Sequence, residues 1–241
     1  RCRIVTGVQT CALPIYPFDA GAERITLVDE LGRLVPPDQA LLLYVKLLAE
    51  AGREGTIAVP VTVTSVVDSL VEETRLQIVR TPHSLTDLTR VAAGEHVVFA
   101  GSVLGGYVFP DVVPGYDAVA SLCKLLELLA LTGGRPLSQR LDDLPRPTLV
   151  RRSVDCPWSR KGLVMRLLNE RLADREVDLL DGIKAYDDRG WVQVLPDPYE
   201  PLVHLFAEGE TKGASAALAD ELEAEIAAIV QGDGVAARTG S

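Results

Sequence analysis

The sequence predicts an α/β domain with a mainly parallel sheet, followed by a small α+β domain. Strand-like and helix-like segments alternate from Arg24 to Gly101, which is the pattern of parallel strands joined by helices. The segment Pro145–Pro147 then marks the predicted boundary between the two domains. From residue 148 to about residue 232 the order becomes strand, helix, two strands around a turn, strand and helix, which indicates the α+β domain.

The first predicted domain, residues 17–147, follows from the spacing of its apolar residues. Helices place them at every third or fourth position, whereas strands covered on both faces are short continuous apolar runs. A helix at 36–52 is expected to begin at the N-cap Asp38 and to end at Gly52. The other predicted elements are strands at 24–29, 55–63, 77–81 and 96–101, the last starting at His96, and helices at 65–74, 84–94, 116–134 and 136–144.

The second predicted domain, residues 148–232, begins with a strand at 148–155 and a helix at 159–174. Two strands within 178–196 flank the turn Asp187–Gly190, and another strand follows at 202–209. An amphipathic helix at 216–232 closes the domain. The polar tail 233–241 is predicted to be disordered.

The first residues have a separate origin. Val5–Ile15 matches the translation of a sequencing adapter, so residues 1–16 are assigned to an artefact and the native frame is expected to begin near Pro17. The remainder is therefore expected to be the C-terminal fragment of a longer gene product.

The composition excludes several classes of partner. The chain has 34 acidic and 24 basic residues and a net charge of −10, which argues against nucleic acid and anionic membranes as partners. No apolar run approaches the ~20 residues of a membrane helix. Outside the assigned artefact only Cys123 and Cys156 remain, without metal-ligand spacing, so a reduced, cytoplasmic chain is expected.

The segment 181–209, DGIKAYDDRGWVQVLPDPYEPLVHLFAEG, has the frame of a known motif. It resembles the C-terminal signature of the α-D-phosphohexomutases, the phosphomannomutase and phosphoglucomutase family. That signature runs Asp-Gly-x-Lys, Gly-Trp, Arg-Pro-Ser-Gly-Thr-Glu-Pro, Arg and Tyr-x-Glu. The matching positions are Asp181, Gly182, Lys184, Gly190, Trp191, Pro196, Glu200, Pro201 and Glu208.

The resemblance covers residues 17–231 and implies the metal loop that ends the family's second domain, its third domain and its C-terminal fourth domain. The family's chemistry uses a phosphoserine loop, a magnesium loop, a sugar loop and a phosphate loop. The phosphoserine loop lies upstream of the matched region, and the other three can be compared residue by residue.

The magnesium loop of the family, Asp-Gly-Asp-Ala-Asp-Arg, is similar to DAGAER at residues 19–24. Asp19 and Arg24 match, Glu23 replaces an aspartate, and Gly21 stands at the middle ligand position. Mg²⁺ prefers several oxygen ligands in near-octahedral geometry, so the resemblance implies a weakened metal site at Asp19 and Glu23. The alternative is an acidic surface turn.

The sugar loop of the family, Gly-Gly-Glu-x-Ser-Gly, is similar to AGSVLGG at residues 100–106. Ser102 stands in place of the glutamate and Leu104 in place of the serine. Sugar hydroxyls are recognised by groups that accept and donate hydrogen bonds, which leucine cannot do. His83 lies near a histidine that reaches the family's active site. Ser102 and His83 are therefore the substrate-binding candidates of this domain, with a purely structural role as the alternative for each.

The phosphate loop keeps the frame of the motif and changes its donors. Leu195, Asp197, Pro198 and Tyr199 replace arginine, serine, glycine and threonine, Glu200 matches, and His204 falls at the later arginine. A phosphate dianion needs N–H and O–H donors and positive charge, whereas proline has no N–H and an ionised aspartate only accepts. Asp197, Tyr199, Glu200 and His204 are named as substrate-binding positions with largely lost chemistry.

Two functions follow from the resemblance. The first is a non-catalytic region, as in mannose-1-phosphate guanylyltransferase-type proteins, which serves assembly or senses a sugar phosphate or sugar nucleotide and needs no cofactor. The second is the C-terminal half of a divergent phosphomannomutase or phosphoglucomutase with Mg²⁺ at Asp19 and Glu23. The expected partners are the upstream domains of the same chain, and a homo-oligomer stays open. A third alternative is an interaction module alone.

Overall fold

The computed structural model describes residues 13–232, so most of the assigned adapter segment and the predicted disordered tail lie outside it. The described chain divides into two units between Arg146 and Pro147. Ile15, at the end of the adapter match, exchanges two backbone hydrogen bonds of 2.9 Å with Val28. None of the helices in the described range is both long and apolar enough to cross a membrane.

The first unit is an α/β layer structure. Its elements are α1 (Pro37–Glu50), β1 (Gly55–Pro60), α2 (Val66–Ser69), β2 (Leu76–Thr81), α3 (Leu85–Ala92), β3 (Val97–Gly101), β4 (Tyr107–Val108), α4 (Ala118–Leu131) and α5 (Leu137–Asp142). The sheet order is β2-β1-β3-β4, with β1 parallel to both neighbours and β4 antiparallel to β3. The predicted mainly parallel sheet is confirmed.

Helix α1 lies in the centre of this unit because apolar residues occupy most of its circumference. The segment Leu41–Tyr44 is fully buried. The ring of Tyr44 lies 5.6 Å from that of Phe99 and 4.5 Å from that of Tyr107, measured between ring centres. Burial of such large side chains is the main stabilising contribution to a core, and it fixes β3 and β4, which flank the candidate sugar loop.

Two element predictions for this unit are wrong. Residues 24–29 form isolated bridges rather than a strand, because successive residues pair with different segments of the chain. The helix predicted at 65–74 is only the four-residue α2. Thr74 ends this region by bonding its hydroxyl to the carbonyl of Val71, a local bond that competes with helix formation.

Two boundary predictions are also wrong. The N-cap of α1 is Pro36 rather than Asp38, because Pro37 sets a helical φ at the first helical position and needs no hydrogen-bond acceptor for its nitrogen. His96 precedes β3 instead of starting it, and its φ of 65° lies in the left-handed region.

The second unit is the predicted small α+β domain. Its elements are β5 (Val150–Asp155), α6 (Trp158–Arg171), β6 (Glu176–Asp178), β7 (Ile183–Asp187), β8 (Gly190–Pro196), β9 (Leu202–Gly209) and α7 (Lys212–Gln231). The strands form an antiparallel sheet in the order β5-β9-β8-β7-β6. The short edge strand β6 is absent from the sequence prediction.

The sheet of the second unit has two different faces because side chains alternate along each strand. Val192 and Val194 join the apolar core that α6 and α7 complete, whereas Trp191 and Leu195 join Phe206 in a separate cluster. His204 is the cross-strand partner of both Leu195 and Ser153. The face opposite the helices therefore presents the side chains at the base of the β8–β9 connection.

Candidate functional site

The candidate metal loop, residues 19–24, is a turn capped by Asp19. The Oδ1 atom of Asp19 accepts hydrogen bonds from the backbone N–H of Glu23 at 2.8 Å and of Arg24 at 3.1 Å. The bonds from Arg24 and Glu23, in that order, lower the pKa of Asp19. The ionised carboxylate therefore stabilises this turn.

The same loop does not fit a protein-built Mg²⁺ site. Mg²⁺ requires a near-octahedral set of oxygen ligands, but no group of three or more acidic, histidine or cysteine side chains suited to a metal ion occurs within residues 13–232. One oxygen of Asp19 already accepts two N–H groups, which leaves Glu23 as the other carboxylate of the loop.

The candidate sugar loop turns the chain from β3 back to β4. Ser102 is buried, and its Oγ accepts a hydrogen bond from the N–H of Leu104 at 3.3 Å. Gly105 has a φ of 79°, and a Cβ at this position would lie 2.9 Å from the carbonyl oxygen of Ile25. The turn thus needs glycine for its backbone, and Oγ of Ser102 accepts a hydrogen bond within the loop.

The metal and sugar loops line one cavity of the first unit, with a volume of about 430 Å³. Asp19, Arg24, Leu104 and Tyr107 contribute to its wall, and most of its other lining residues are apolar. Ser102 and Glu23 do not line it. The structure therefore brings Asp19 to the same cavity as Leu104 and offers few groups there for binding sugar hydroxyls.

His83 lies at the start of α3, directly before the N-cap Ser84. Its Nδ1 atom is 2.9 Å from the Oγ1 of Thr62, so the imidazole links α3 to the segment after β1. His83 does not line the cavity next to the metal loop. A binding role for His83 stays a prediction.

The candidate phosphate loop is the β8–β9 connection Asp197–Pro201, and the Asp197 carboxylate turns inward. Oδ1 of Asp197 accepts hydrogen bonds from the N–H groups of Tyr199 and Glu200, both at 2.7 Å. Oδ2 lies 2.8 Å from Nε2 of His204. The bond from Tyr199 above all, and then the one from His204, lower the pKa of Asp197 to about 2. The loop therefore keeps two backbone N–H donors, those of Tyr199 and Glu200, and both donate to the Asp197 carboxylate.

Lys161, which the sequence prediction does not include, stabilises this connection from α6. Its Nζ donates hydrogen bonds to the backbone carbonyls of Asp197 and Glu200 and lies 3.8 Å from the centre of the Trp158 ring. Lys161 is buried, and its ammonium group binds backbone carbonyls within the second unit. No local pattern identifies such a contact, because Lys161 is far from the loop in sequence.

Ser153 on β5 extends the hydrogen-bonded chain of side chains. Its Oγ lies 3.2 Å from Nδ1 of His204, whose Nε2 faces Asp197. The order serine, histidine, aspartate occurs in hydrolases, where backbone N–H groups also form an oxyanion hole. Here the N–H groups of Tyr199 and Glu200 point at Asp197, so we infer no nucleophile.

The motif positions that match the family have structural roles in this unit. Nε1 of Trp191 donates to Oε2 of Glu208 at 2.9 Å, and Nζ of Lys184 lies 3.7 Å from the centre of the Trp191 ring. Gly182 and Gly190 have φ values of 67° and 138°, and a Cβ on them would lie 2.1 and 2.0 Å from carbonyl oxygens of neighbouring strands. Only glycine fits such positions.

The predicted site residues fall into two groups. Asp19, Glu23, His83 and Ser102 belong to the first unit, and Asp197, Tyr199, Glu200 and His204 belong to the second. Within the second group, Asp197 binds the other three through two backbone N–H groups and one imidazole. The Tyr199 residue itself is 87% exposed.

Comparisons with known proteins agree with this architecture. Residues 36–148 match the model of phosphoglucomutase/phosphomannomutase, alpha/beta/alpha domain III. The chain is 34% identical over 205 residues to a probable phosphoglucosamine mutase of Methanopyrus kandleri. The aligned region covers 84% of this chain and 45% of that protein. It is 25% identical over 197 residues to a phosphoglucomutase/phosphomannomutase of Thermococcus kodakarensis, and that alignment covers 80% of this chain and 42% of the relative. The chain thus spans somewhat less than half the length of these relatives.

Solved structures share the fold. A phosphoglucomutase/phosphomannomutase family protein of Burkholderia thailandensis gives a TM-score of 0.76 at 21% identity, over 92% of this chain and 48% of that one. The N-acetylphosphoglucosamine mutase of Aspergillus fumigatus, solved with GlcNAc-6P and magnesium, gives 0.65 at 14% identity, over 95% and 51%. The solved structures show the shared fold, and the domain match at residues 36–148 together with the 34% identical relative supports the α-D-phosphohexomutase family.

Proposed function

We propose that this chain is the C-terminal half of a phosphohexomutase-type protein that handles sugar phosphates without transferring the phosphate. One observation carries the proposal. In each candidate loop the polar side chain caps its own turn, since Asp19, Ser102 and Asp197 all accept hydrogen bonds from backbone N–H groups of the same loop. Oδ1 of Asp19, Oγ of Ser102 and both carboxylate oxygens of Asp197 therefore already have partners within the fold before any substrate arrives.

Phosphoryl transfer makes demands that these loops do not meet. The transferred group carries negative charge that must be neutralised by cations and donors aimed at it. In the second unit the buried Lys161 is bonded to carbonyl oxygens and the ionised Asp197 has taken the nearby donors. In the first unit the sugar-loop position Leu104 offers no hydrogen bond.

Such a region can serve assembly or sense a sugar phosphate or sugar nucleotide, as in a mannose-1-phosphate guanylyltransferase-type protein. The glycines and the Trp191–Glu208 contact support this role because they preserve the framework of the domain. In the same framework, one polar side chain of each loop binds its own turn. The proposed partners are the upstream domains of the same gene product, and a cytoplasmic location is part of the proposal.

A second candidate is a catalytic mutase, and the comparisons favour it over the first. The relatives named above are a probable phosphoglucosamine mutase, which is 34% identical to this chain, and a phosphoglucomutase/phosphomannomutase. In this candidate, phosphate moves between an upstream phosphoserine and the hydroxyls of a hexose or hexosamine. We rank it second because function is set by the site rather than by the fold.

One assay separates the candidates. The full-length gene product is incubated with the 1-phosphates of glucosamine, glucose and mannose in the presence of Mg²⁺, and the 6-phosphates are quantified, with the Thermococcus kodakarensis phosphoglucomutase/phosphomannomutase as the positive control. Thermal denaturation with the same ligands measures binding separately. A ligand-dependent rise in the melting temperature without conversion supports the first candidate. Conversion supports the second.

A further inference from the structure

We propose that β2 is an interface between two copies of this chain, which pair edge to edge as antiparallel strands with Val79 at the two-fold axis. The inference goes beyond the proposed function, because it concerns an edge of the first sheet rather than any of the candidate loops. It rests on the direction of the outer backbone groups of β2, on the regularity of the strand, and on the side chains that the pairing brings together.

The backbone groups of β2 point alternately toward β1 and away from the sheet. β2 is the end strand of its sheet and pairs with β1. At the two ends of this pairing, the carbonyls of Arg75 and Thr81 accept N–H groups from β1 and from the residue after it, at 3.2 and 2.8 Å. Because the direction alternates along a strand, every second residue from Arg75 to Thr81 faces β1. The N–H and C=O groups of Ile78 and Arg80 therefore face outward.

The outer side of β2 is an open edge in the described part of the chain. Within residues 13–232 no second strand or isolated bridge pairs with β2. The N–H of Leu76 donates to Oγ1 of Thr74 at 3.1 Å, so the open edge begins at the carbonyl of Leu76 and continues through Ile78 and Arg80. A row of outward N–H and C=O groups is a template for pairing with another strand.

β2 lacks the features that protect edge strands from pairing, which are short length, bulges, proline and exposed charge. It has six residues, pairs with β1 without a shift in register, and contains neither proline nor lysine. Its one charged side chain, Arg80, turns back into its own unit. There it donates to the carbonyl of Val63 at 2.8 Å and forms an ion pair with Asp68. The charge of Arg80 is thus compensated before a second strand approaches.

The other end strands of the two sheets have such protection. β4 has two residues and β6 has three, which is too short for a stable additional pairing. β5 has six residues but carries Arg151 and Arg152 next to each other. Among the end strands of the described chain, β2 is therefore the one best suited to pairing.

A second copy of β2 is the partner that fits this edge. Two identical antiparallel strands are related by a two-fold axis, and each contributes the same groups. With Val79 on the axis, Ile78 of one copy lies opposite Arg80 of the other, and each of these two pairs exchanges two N–H···O=C bonds. Gln77 lies opposite Thr81, so no like charges face each other. Val79, which is 41% exposed in the single chain, meets its own counterpart.

Disulfide cross-linking tests this register. Cys2, Cys11 and Cys123 are replaced by serine, and Val79→Cys is compared with Gln77→Cys under mild oxidation. In the proposed pairing the two Cα atoms at position 79 are about 4.5 Å apart, within the range of about 4.4–6.8 Å that a disulfide spans. The two Cα atoms at position 77 are displaced by four residues, or about 13 Å, along the strands. Gln77 is the matched control, because it is exposed on the same face of β2.

We expect Val79→Cys to form the covalent dimer at least about tenfold faster than Gln77→Cys. Non-reducing electrophoresis of samples taken over time measures both rates. Equal rates, or faster cross-linking at position 77, overturn the proposed pairing.

Sedimentation velocity of the unmodified chain tests the association itself. One pair of strands makes a small interface, so we expect dimers at about 100 µM that dissociate at about 1 µM. Val79→Lys places two like charges at the axis and should keep the chain monomeric at about 100 µM. Leu180→Lys is the matched control, because Leu180 is 43% exposed and lies in the second unit, and it should dimerise like the wild type.

Two outcomes of sedimentation overturn the proposal. A wild-type chain that is monomeric at about 100 µM does so, and it leaves an extended segment of a different protein as the partner of this edge. A dimer that Val79→Lys does not weaken also does so. Circular dichroism melts show that each variant has folded, and neither measurement depends on whether the protein transfers phosphate.

Discussion

The carboxylate of Asp197 and the imidazole of His204 lie 2.8 Å apart, and their contact joins the β8–β9 connection to the strand that follows it. The same carboxylate accepts the N–H groups of Tyr199 and Glu200. The stability of the loop therefore depends on one ionised side chain.

The Asp197 contacts make the stability of the second unit dependent on pH. The folded-state pKa of about 2 is below the ordinary value of 3.8, so the stabilisation is complete above about pH 4 and is lost as the pH falls toward 2. Asp197→Ala is expected to lower the melting temperature at neutral pH, and the difference from wild type should shrink across this window. Circular dichroism melts measure it.

Asp188 provides the control for that experiment, because it is an exposed aspartate in the turn between β7 and β8. Asp188→Ala should have a small effect on the melting temperature at neutral pH. A difference between wild type and Asp197→Ala that stays constant from neutral pH to pH 2 contradicts the assigned role of the ionised carboxylate.

Gly182 is expected to be among the least replaceable residues of the second unit. Its φ is 67°, and a Cβ would lie 2.1 Å from the carbonyl oxygen of Val194. Gly182→Ala should cost at least about 3 kcal/mol, since an unfavourable backbone conformation and a steric clash add together. The matched control is Gly232→Ala, with a φ of 95° and nothing within 4 Å of the new Cβ, which should cost about 1 kcal/mol.

Urea denaturation followed by circular dichroism gives both free energies of unfolding. Equal effects of the two glycine substitutions indicate that backbone conformation alone matters, and they contradict the close approach of β8 to residue 182.

Glu208 is expected to stabilise the second unit through Trp191. Oε2 of Glu208 accepts a hydrogen bond from Nε1 of Trp191 at 2.9 Å, and both residues are buried. Glu208→Ala should lower the free energy of unfolding by about 1–3 kcal/mol, because the buried indole N–H loses its acceptor. Glu208→Gln keeps an acceptor and should cost less. The indole N–H signal of Trp191 in NMR spectra reports the bond, and a larger loss in the glutamine variant argues against it.

Cys156 should report the unfolding of the second unit. Its side chain is buried and burial raises the pKa of the thiol, whereas Cys123 is exposed. Alkylation by N-ethylmaleimide is expected to be at least about a hundredfold slower at Cys156 than at Cys123, because it requires opening of the unit. Mass spectrometry of the separate peptides measures each rate. Similar rates contradict the buried position of Cys156, and Asp197→Ala should accelerate only the Cys156 reaction.

The helices and strands whose signals are local could be predicted from the sequence. Helix α3 begins after the N-cap Ser84, whose side chain accepts the N–H of Asp87, and α4 begins after Asp117 in the same way. Residues 24–29 were not predictable as isolated bridges, because their partners come from several distant segments. A period-two pattern alone does not say whether one continuous partner strand exists.

The candidate site, too, could be predicted from the sequence only where its signals are local. The motif frame identifies the β8–β9 connection and indicates that its donors have changed. The positions of Lys161 and Ser153 depend on contacts between segments far apart in sequence. Nor does the sequence show that Tyr199 and Glu200 still offer N–H donors, which Asp197 then accepts. That geometry requires the folded hairpin.

The central claim is that one polar side chain in each of the three loops caps its own turn and that phosphate is not transferred. The most direct measurement is the conversion of hexose and hexosamine 1-phosphates to 6-phosphates by the full-length gene product, with the Thermococcus kodakarensis phosphoglucomutase/phosphomannomutase as the reference. We predict no conversion above background. Turnover that disappears when Asp19 and Glu23 are replaced by asparagine and glutamine would contradict the claim and establish the catalytic candidate.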